Sequence, residues 1–404
     1  MDQALAYYQA ALMLTEDNPA PELHDRILRA QQQTFRALAD TQRVSGDLEN
    51  AQANYNGALT AALERNARTE AGELYFVLGT LAADENAWDR ALGNYALALE
   101  NVEPAQRADV KTYQAFAYSS WGDAQRAAGQ FDAAASAYTS ALECAAELGD
   151  AERAGQVLYR FGLLNATLGH WQRALDYYTQ AAARLPETET AVREALSRDR
   201  AIATRAFKRS QLDLQLEHAR TARQASQWDD AATAYRAALG LARDLDDTTL
   251  ATSIERDWVS LYDDKGAALH GMELWDEANE AYRASLHLAC EFDFQDQADA
   301  RRAHLLALSI DKTKALRAIG KREDAERAAQ DTLALTQEFG DTNAQADALY
   351  TLGAFAAQDG DWEAAQVYYA QARPLLVAAE RSDVLVQLDH DRATAQENLA
   401  RQAQ

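Results

Sequence analysis

The sequence predicts an all-α chain, an α-solenoid assembled from a repeated pair of helices. Two observations carry this. A short phrase recurs along the chain with its fixed positions three and four apart, and a second apolar stretch precedes its best copies. Residues at those offsets stack on one face of a helix that turns every 3.6 residues, so each phrase is a helix with one buried stripe.

The phrase is Trp, Ala three residues on, Tyr four after that and Ala three later. In chain order, Ala4-Tyr8-Ala11 lacks only the leading residue, and Leu48-Ala51-Tyr55-Ala58 carries leucine there. Trp88-Ala91-Tyr95-Ala98 is complete, and Phe131-Ala134-Tyr138-Ala141 opens on phenylalanine. Trp171-Ala174-Tyr178-Ala181 and Trp228-Ala231-Tyr235-Ala238 are complete, while Trp275-Ala278-Tyr282 keeps three of four. The copy opening at Lys321 is the weakest, with Ala329 in the tyrosine's place and Thr332 in the last alanine's; Trp362-Ala365-Tyr369-Ala372 closes the series of nine. Alanine lets a neighbouring backbone approach and the ring fills the space beside it. Asp89, Asp132, Asp229, Asp276 and Glu363 stand directly behind the leading residue. There they favour the positive end of the helix dipole and mark the helix start.

Upstream lies a second helix. The best copy combines the two as Leu349-x2-Leu352-Gly353-x2-Ala356-x8-Ala365-x3-Tyr369-x2-Ala372, and Tyr75-x2-Leu78-Gly79, Tyr118-x2-Trp121-Gly122 and Leu158-x2-Phe161-Gly162 repeat its first half. This resembles the tetratricopeptide repeat, whose W-x2-L-G-x2-Y, A-x3-F and A positions span two helices. The resemblance covers essentially the whole chain. It implies a right-handed superhelix of antiparallel helix pairs, about 18 helices, whose first helices line a concave binding surface. The chain departs from the family in length. The anchor positions 8, 55, 95, 138, 178, 235, 282, 329 and 369, tyrosine at all but the eighth, differ by 47, 40, 43, 40, 57, 47, 47 and 40, against roughly 34 in the common repeat. The helices are therefore longer, as in the long-helix members of the family.

A repeat array has no globular boundaries, so residues 1–404 read as one solenoid. Its parts are an unpaired helix at 1–16, N-terminal repeats at 22–185, an irregular long repeat at 186–245, C-terminal repeats at 246–381 and a capping helix at 382–404. With 48% hydrophobic residues the chain can bury a continuous core, and no stretch approaches the roughly 20 apolar residues of a membrane span. The first residues carry the repeat frame and no signal peptide is read there, so the cytoplasm is the expected compartment. A net charge of −24 disfavours nucleic acid as a partner, because that binding rests on neutralising phosphates with Lys and Arg. The preference for Arg over Lys and the abundance of Ala point to a GC-rich bacterial genome or a salt-adapted one. Cys144 and Cys290 read as core residues of second helices.

Motifs with a chemical mechanism are missing: no phosphate loop, nucleophile elbow, HExxH, paired CxxC or EF-hand loop is present. The histidines are scattered without an i, i+4 partner, so no metal and no cofactor is expected, and the chain reads as non-enzymatic. Asp389-His390-Asp391 reads as solvated surface.

The inward positions of the first helices, counted from the glycine, are Arg36, Asp40, Arg43, Phe76, Thr80, Phe116, Asp123, Arg126, Tyr159, Leu216, Arg220, Arg223, Lys314, Arg317 and Tyr350. Aromatic rings with intervening arginines would suit a peptide or helix that is both acidic and hydrophobic. The Lys and Asn set with which chaperone-binding members of the family hold a C-terminal carboxylate is absent. The stretched unit between Tyr178 and Tyr235 forms either one long helix or two. It carries a basic patch of Arg193, Arg198, Arg200, Arg205, Lys208 and Arg209, either a docking site for an acidic surface or a solvated face. The leading helix, with Leu5, Tyr8, Leu12 and Met13, is expected to be covered, by another chain, by self-association or by a preceding part of a longer protein. The reading is a protein-interaction scaffold or adaptor; its alternative is the sensor arm of a bacterial signalling system, beside an ATPase switch, transcriptional activator or caspase-like protease.

Overall fold

The computed structural model describes residues 2–17 and 20–402, the side chains of residues 2, 16 and 17 excepted. Met1, Ala403 and Gln404, the outer ends of the expected first and last helices, lie outside the described residues. Among the described residues there are 18 helices and no strand. They are α1 (Asp2–Asp17), α2 (Pro21–Ser45), α3 (Leu48–Glu64), α4 (Arg68–Asp84), α5 (Trp88–Asn101), α6 (Arg107–Ala127), α7 (Phe131–Leu148), α8 (Ala151–Thr167) and α9 (Trp171–Arg184). After these come α10 (Thr190–Gln224), α11 (Trp228–Asp244), α12 (Thr248–Gly271), α13 (Trp275–Glu291), α14 (Gln295–Ala318), α15 (Arg322–Phe339), α16 (Thr342–Gln358), α17 (Trp362–Ala378) and α18 (Ser382–Gln402).

Seven of the odd-numbered helices begin on the leading residue of the phrase, from Leu48 to Trp362, and α15 begins one residue after Lys321. Each packs on the even-numbered helix before it. Asp47, Asp150, Asp247, Asp341 and Asp361 cap their helices by accepting a backbone N–H three residues on, which satisfies one of the donors left open at a helix start. The linkers are tight because they turn through the left-handed region, at Gly149 with φ 66° for example.

The stripe is the core. Tyr55, Tyr95, Tyr138, Tyr178, Tyr235, Tyr282 and Tyr369 are at most 5% exposed, and the alanines that flank them in the phrase are fully buried. The first copy differs: Ala4, Tyr8 and Ala11 of α1 are only half-buried, because among the described residues they pack mainly on α2.

Each tyrosine ring is met by a small residue sixteen positions earlier, on the partner helix. A Cβ on Gly79 would stand 2.7 Å from the ring of Tyr95, and one on Gly266 2.7 Å from that of Tyr282. Gly122, Gly162 and Gly353 meet Tyr138, Tyr178 and Tyr369 more closely still. Where Ala329 replaces the tyrosine, Thr313 occupies the glycine's register position and is itself buried. Volume lost on one helix is returned by the other, as close packing requires.

The two lost alanines are explained the same way. Ser285 donates to Asp263 at 2.6 Å, and Arg301 donates to both Ser285 and Asp263. Thr332 and Ser309 share a hydrogen bond of 2.7 Å. The hydroxyls that interrupt the stripe are thus satisfied by polar residues of α12 and α14, which avoids the cost of burying an unpaired polar group.

The chain divides into two compact units, Met1–Phe207 and Lys208–Gln404. The boundary falls within α10, a continuous helix of 35 residues. In the first unit, Leu196 packs with Leu158, Ala181 and Leu185, and Ala203 with Ala174 and Tyr178. In the second, Leu212, Leu216, Ala219 and Ala222 pack with the residues of α11 and α12. Cys144 is buried as expected, but Cys290 is exposed; its neighbour Ala289 takes the core position. No helix among the described residues is long and apolar enough to cross a membrane.

Candidate partner-binding face

Several polar side chains at the positions expected to line the first-helix face are tied to the next first helix. Arg36 of α2 donates to Glu73 of α4 at 2.9 Å. Asp123 of α6 accepts from Arg160 of α8 at 2.9 Å and from the Tyr138 hydroxyl at 2.7 Å. Tyr159 of α8 donates to Asp199 of α10 at 2.5 Å. In the second unit Arg223 donates to Asp264 of α12 at 2.7 Å, and Tyr350 of α16 donates to Asp391 of α18 at 2.6 Å. These rungs join residues 37 to 41 apart, one repeat length.

The electrostatics follow from burial first and from neighbouring carboxylates second. Burial, and then the Asp40 carboxylate that accepts its hydroxyl at 2.5 Å, push Tyr55 up to about 12. Burial likewise lifts Tyr138, Tyr159 and Tyr350, with Asp123, Asp199 and Asp391 adding to it. A carboxylate that accepts from a phenol favours the neutral phenol.

The structure departs from the sequence expectation at several positions. Leu216 is buried, at 8% exposure, in the core with α11 and α12. At the same register position Phe76, Tyr159 and Tyr350 are half-buried, because an aromatic ring reaches out where the shorter leucine stops. Asp389 and Asp391 are not idle surface: Asp389 accepts from Arg373 at 2.9 Å, and Asp391 from Tyr350. Half of the basic patch is consumed. Arg193 donates to the carbonyl of Leu185 at 2.6 Å and so closes the end of α9. Lys208 pairs with Asp244 at 2.7 Å and Arg209 with Asp247 at 3.1 Å. Arg198, Arg200 and Arg205 are exposed and make no ion pair among the described residues.

What remains open at these positions is aromatic on α4 and α6 and basic at Arg43, Arg220, Lys314 and Arg317. Phe76 meets Tyr95 at 6.1 Å and Tyr113 edge-on at 5.1 Å. Phe116, one turn along α6 from Tyr113, is 55% exposed, and Tyr113 is 48% exposed. Thr80 donates to its own helix, at the Val77 carbonyl. Arg43 is exposed at the end of α2, and the half-buried Arg126 lies 4.0 Å from Asp123. In the second unit a cleft of about 380 Å³ is lined by Arg220, Arg223, Gln224, Tyr235, Asp257 and Asp264. Lys314 is 3.4 Å from Asp311, and the Arg317 guanidinium lies 5.5 Å above the Phe355 ring.

Sequence reasoning does not find Tyr113, Glu73, Arg160, Asp199, Asp264 or Asp391. Glu73 precedes Phe76 by three residues and so shares its helical stripe, the one signal that could have found it. Among the described residues no group of three His, Cys, Asp or Glu side chains could hold a metal ion.

No family model and no curated protein matches the chain. Solved structures similar to it include a tetratricopeptide repeat protein from Parabacteroides merdae, 16% identical over 76% of this chain and 93% of that one, with a TM-score of 0.28. The TPR2AB domain of yeast Sti1 in complex with pHSP90 is 13% identical over 80% of this chain and 98% of that one, TM-score 0.28. A signal-transduction ATPase with a tetratricopeptide repeat sensor from Pyrococcus horikoshii is 13% identical over 96% of this chain and 55% of that one, TM-score 0.19. The chain's own geometry defines its class: an all-α array of helix hairpins of the tetratricopeptide type, in which a small residue of the first helix seats an aromatic ring of the second.

Proposed function

We propose that the protein is a non-catalytic scaffold that holds a peptide or helical segment of a protein partner on the first-helix face. The observation that supports it is the aromatic shelf of Phe76, Tyr113 and Phe116. Two of its three rings are about half exposed, and exposed aromatic clusters on a rigid face are what partner side chains anchor to. The arginines of the face raise the expectation of an acidic and hydrophobic partner. For the acidic component the exposed Arg220 and Arg317 of the second unit remain the candidates. Arg198, Arg200 and Arg205 are the candidates for docking an acidic surface elsewhere on the first unit.

The test is affinity capture from native lysate with the wild-type chain and with Phe116→Asp. Loss of one stoichiometric protein from the variant supports the reading; identical recoveries, or none, overturn it.

A second reading, the sensor arm of a signalling system, is favoured by α1. Tyr7, Met13 and Leu14 are at least 68% exposed. Tyr7, Tyr8, Ala11, Leu14, Leu23 and Ile27 line an apolar cleft of about 560 Å³. An effector region or a second copy would cover it. Light scattering of the wild-type chain against Leu14→Asp separates self-association from a monomer that awaits another chain.

A further inference from the structure

We propose that the segment received by the aromatic shelf of the first unit is basic as well as apolar, with Lys or Arg side chains laid against the rings. This rests on the shelf reading above and specifies the chemistry of its occupant.

Three arginines of α2, α6 and α8 are already held. Arg36 is bound to Glu73, and Arg160 to Asp123. Arg126 also lies against Asp123. Breaking any of these pairs to bind an outside carboxylate would exchange one ion pair for another and gain little.

The carboxylates beside the rings are free. Asp109 stands one helical turn before Tyr113 and two before Phe116, on their stripe of α6. Asp84 ends α4, and its charge is felt by Tyr95, the ring against which Phe76 packs. Both carboxylates are exposed, and neither makes an ion pair among the described residues.

The rings act in the same direction. The face of an aromatic ring carries negative charge density and attracts a guanidinium or ammonium group. The chain already does this internally, with Arg236 5.4 Å over Trp258 and Arg256 5.4 Å over Phe294. A long basic side chain also lays its apolar stem on such a surface while its charge reaches the flanking carboxylates. The net charge of −24 would draw a basic segment in and hold an acidic one off.

Two peptides of equal length test this: one alternating leucine with arginine and lysine, the other with glutamate at each basic position. Binding to the full chain is read by fluorescence anisotropy. The basic peptide is expected to bind at least about tenfold more tightly. Asp84→Asn with Asp109→Asn is expected to weaken it about fivefold, and Phe116→Ala about tenfold. Removing the same number of charges as Glu363→Gln with Asp383→Asn, in the second unit, is expected to change it less than about twofold, which guards against attraction by net charge alone. Tighter binding of the acidic peptide, or equal losses in the two charge-neutral pairs, overturns the basic assignment. If Phe116→Ala still weakens whichever peptide binds, the shelf survives that result. If Phe116→Ala leaves both peptides unchanged, or neither peptide binds, the shelf reading itself fails.

Discussion

Gly79 lies under the ring of Tyr95 with no room for a methyl group: a Cβ there would stand 2.7 Å from two ring carbons. The same relation recurs at Gly122, Gly162, Gly266 and Gly353, so it is a rule of the hairpin and not a local accident. Gly162→Ala must push apart α8 and α9 or twist Tyr178. The expected loss is about 1–3 kcal/mol, read as a lower denaturation midpoint.

The exception to the rule offers a sharper test. Ala329 should refuse a tyrosine while Thr313 stands opposite in register. Ala329→Tyr alone is expected to destabilise by about 2 kcal/mol or more, and Thr313→Gly added to it is expected to recover most of the loss. A double-mutant cycle with no coupling would show that the two positions do not share one space.

Asp263, Ser285 and Arg301 form a polar knot within the second unit, with Ser285 fully buried and Arg301 9% exposed. Asp263→Ala leaves the guanidinium without its carboxylate and is expected to cost about 3 kcal/mol. Replacing the set together, as Asp263→Leu, Ser285→Ala and Arg301→Met, is expected to cost less than that single change, because no charge is left stranded. Urea unfolding of the single and triple variants checks the order.

Alkali should destabilise the fold through its core tyrosines. Burial pushes Tyr55, Tyr178 and Tyr369 up to about 12, from an ordinary value near 10. Below about pH 10 the phenols are neutral in both folded and unfolded chains, and their burial contributes in full. As the pH rises from about 10 towards 12, the unfolded chain ionises first and the contribution is lost. Denaturation midpoints at pH 8, 9.5 and 11 are expected to hold between the first two and drop at the third.

Leu388 and Ala395 are the buried residues of α18, and the Tyr350–Asp391 bond ties its outer side to α16. Leu388→Asp is expected to release the helix. Amide exchange over residues 382–402 should then rise by at least about tenfold while that of α12 stays unchanged.

Most second helices were legible because a leading Trp, Phe or Leu, usually followed by an acid, opens them in the same frame, and the Ala-Tyr-Ala stripe names the core. The pairing of face residues was not. Arg36–Glu73, Asp123–Arg160 and Tyr159–Asp199 do the same work with different side chains, so no repeated letter announces them. Leu216 shows the limit of register alone. It holds the register position the repeat frame implies, and side-chain length decides that it stops short of solvent. Whether 186–225 held one helix or two was open because neither Gly nor Pro punctuates it after Pro186; the uninterrupted chain from Thr190 to Gln224 is one helix.

The glycine–tyrosine seat also bears on how such a chain can grow. Tyr55 to Tyr95 and Tyr138 to Tyr178 are each separated by 40 residues, and Tyr369 stands the same distance beyond Ala329. A stretch of that length, duplicated in frame, brings with it both the ring and the gap that receives it. The copy therefore arrives with its internal fit already solved, and only its two outer faces must be accommodated. Gene duplication can lengthen this protein one hairpin at a time, and the side chains left to vary from copy to copy are those on the face where a partner would be chosen.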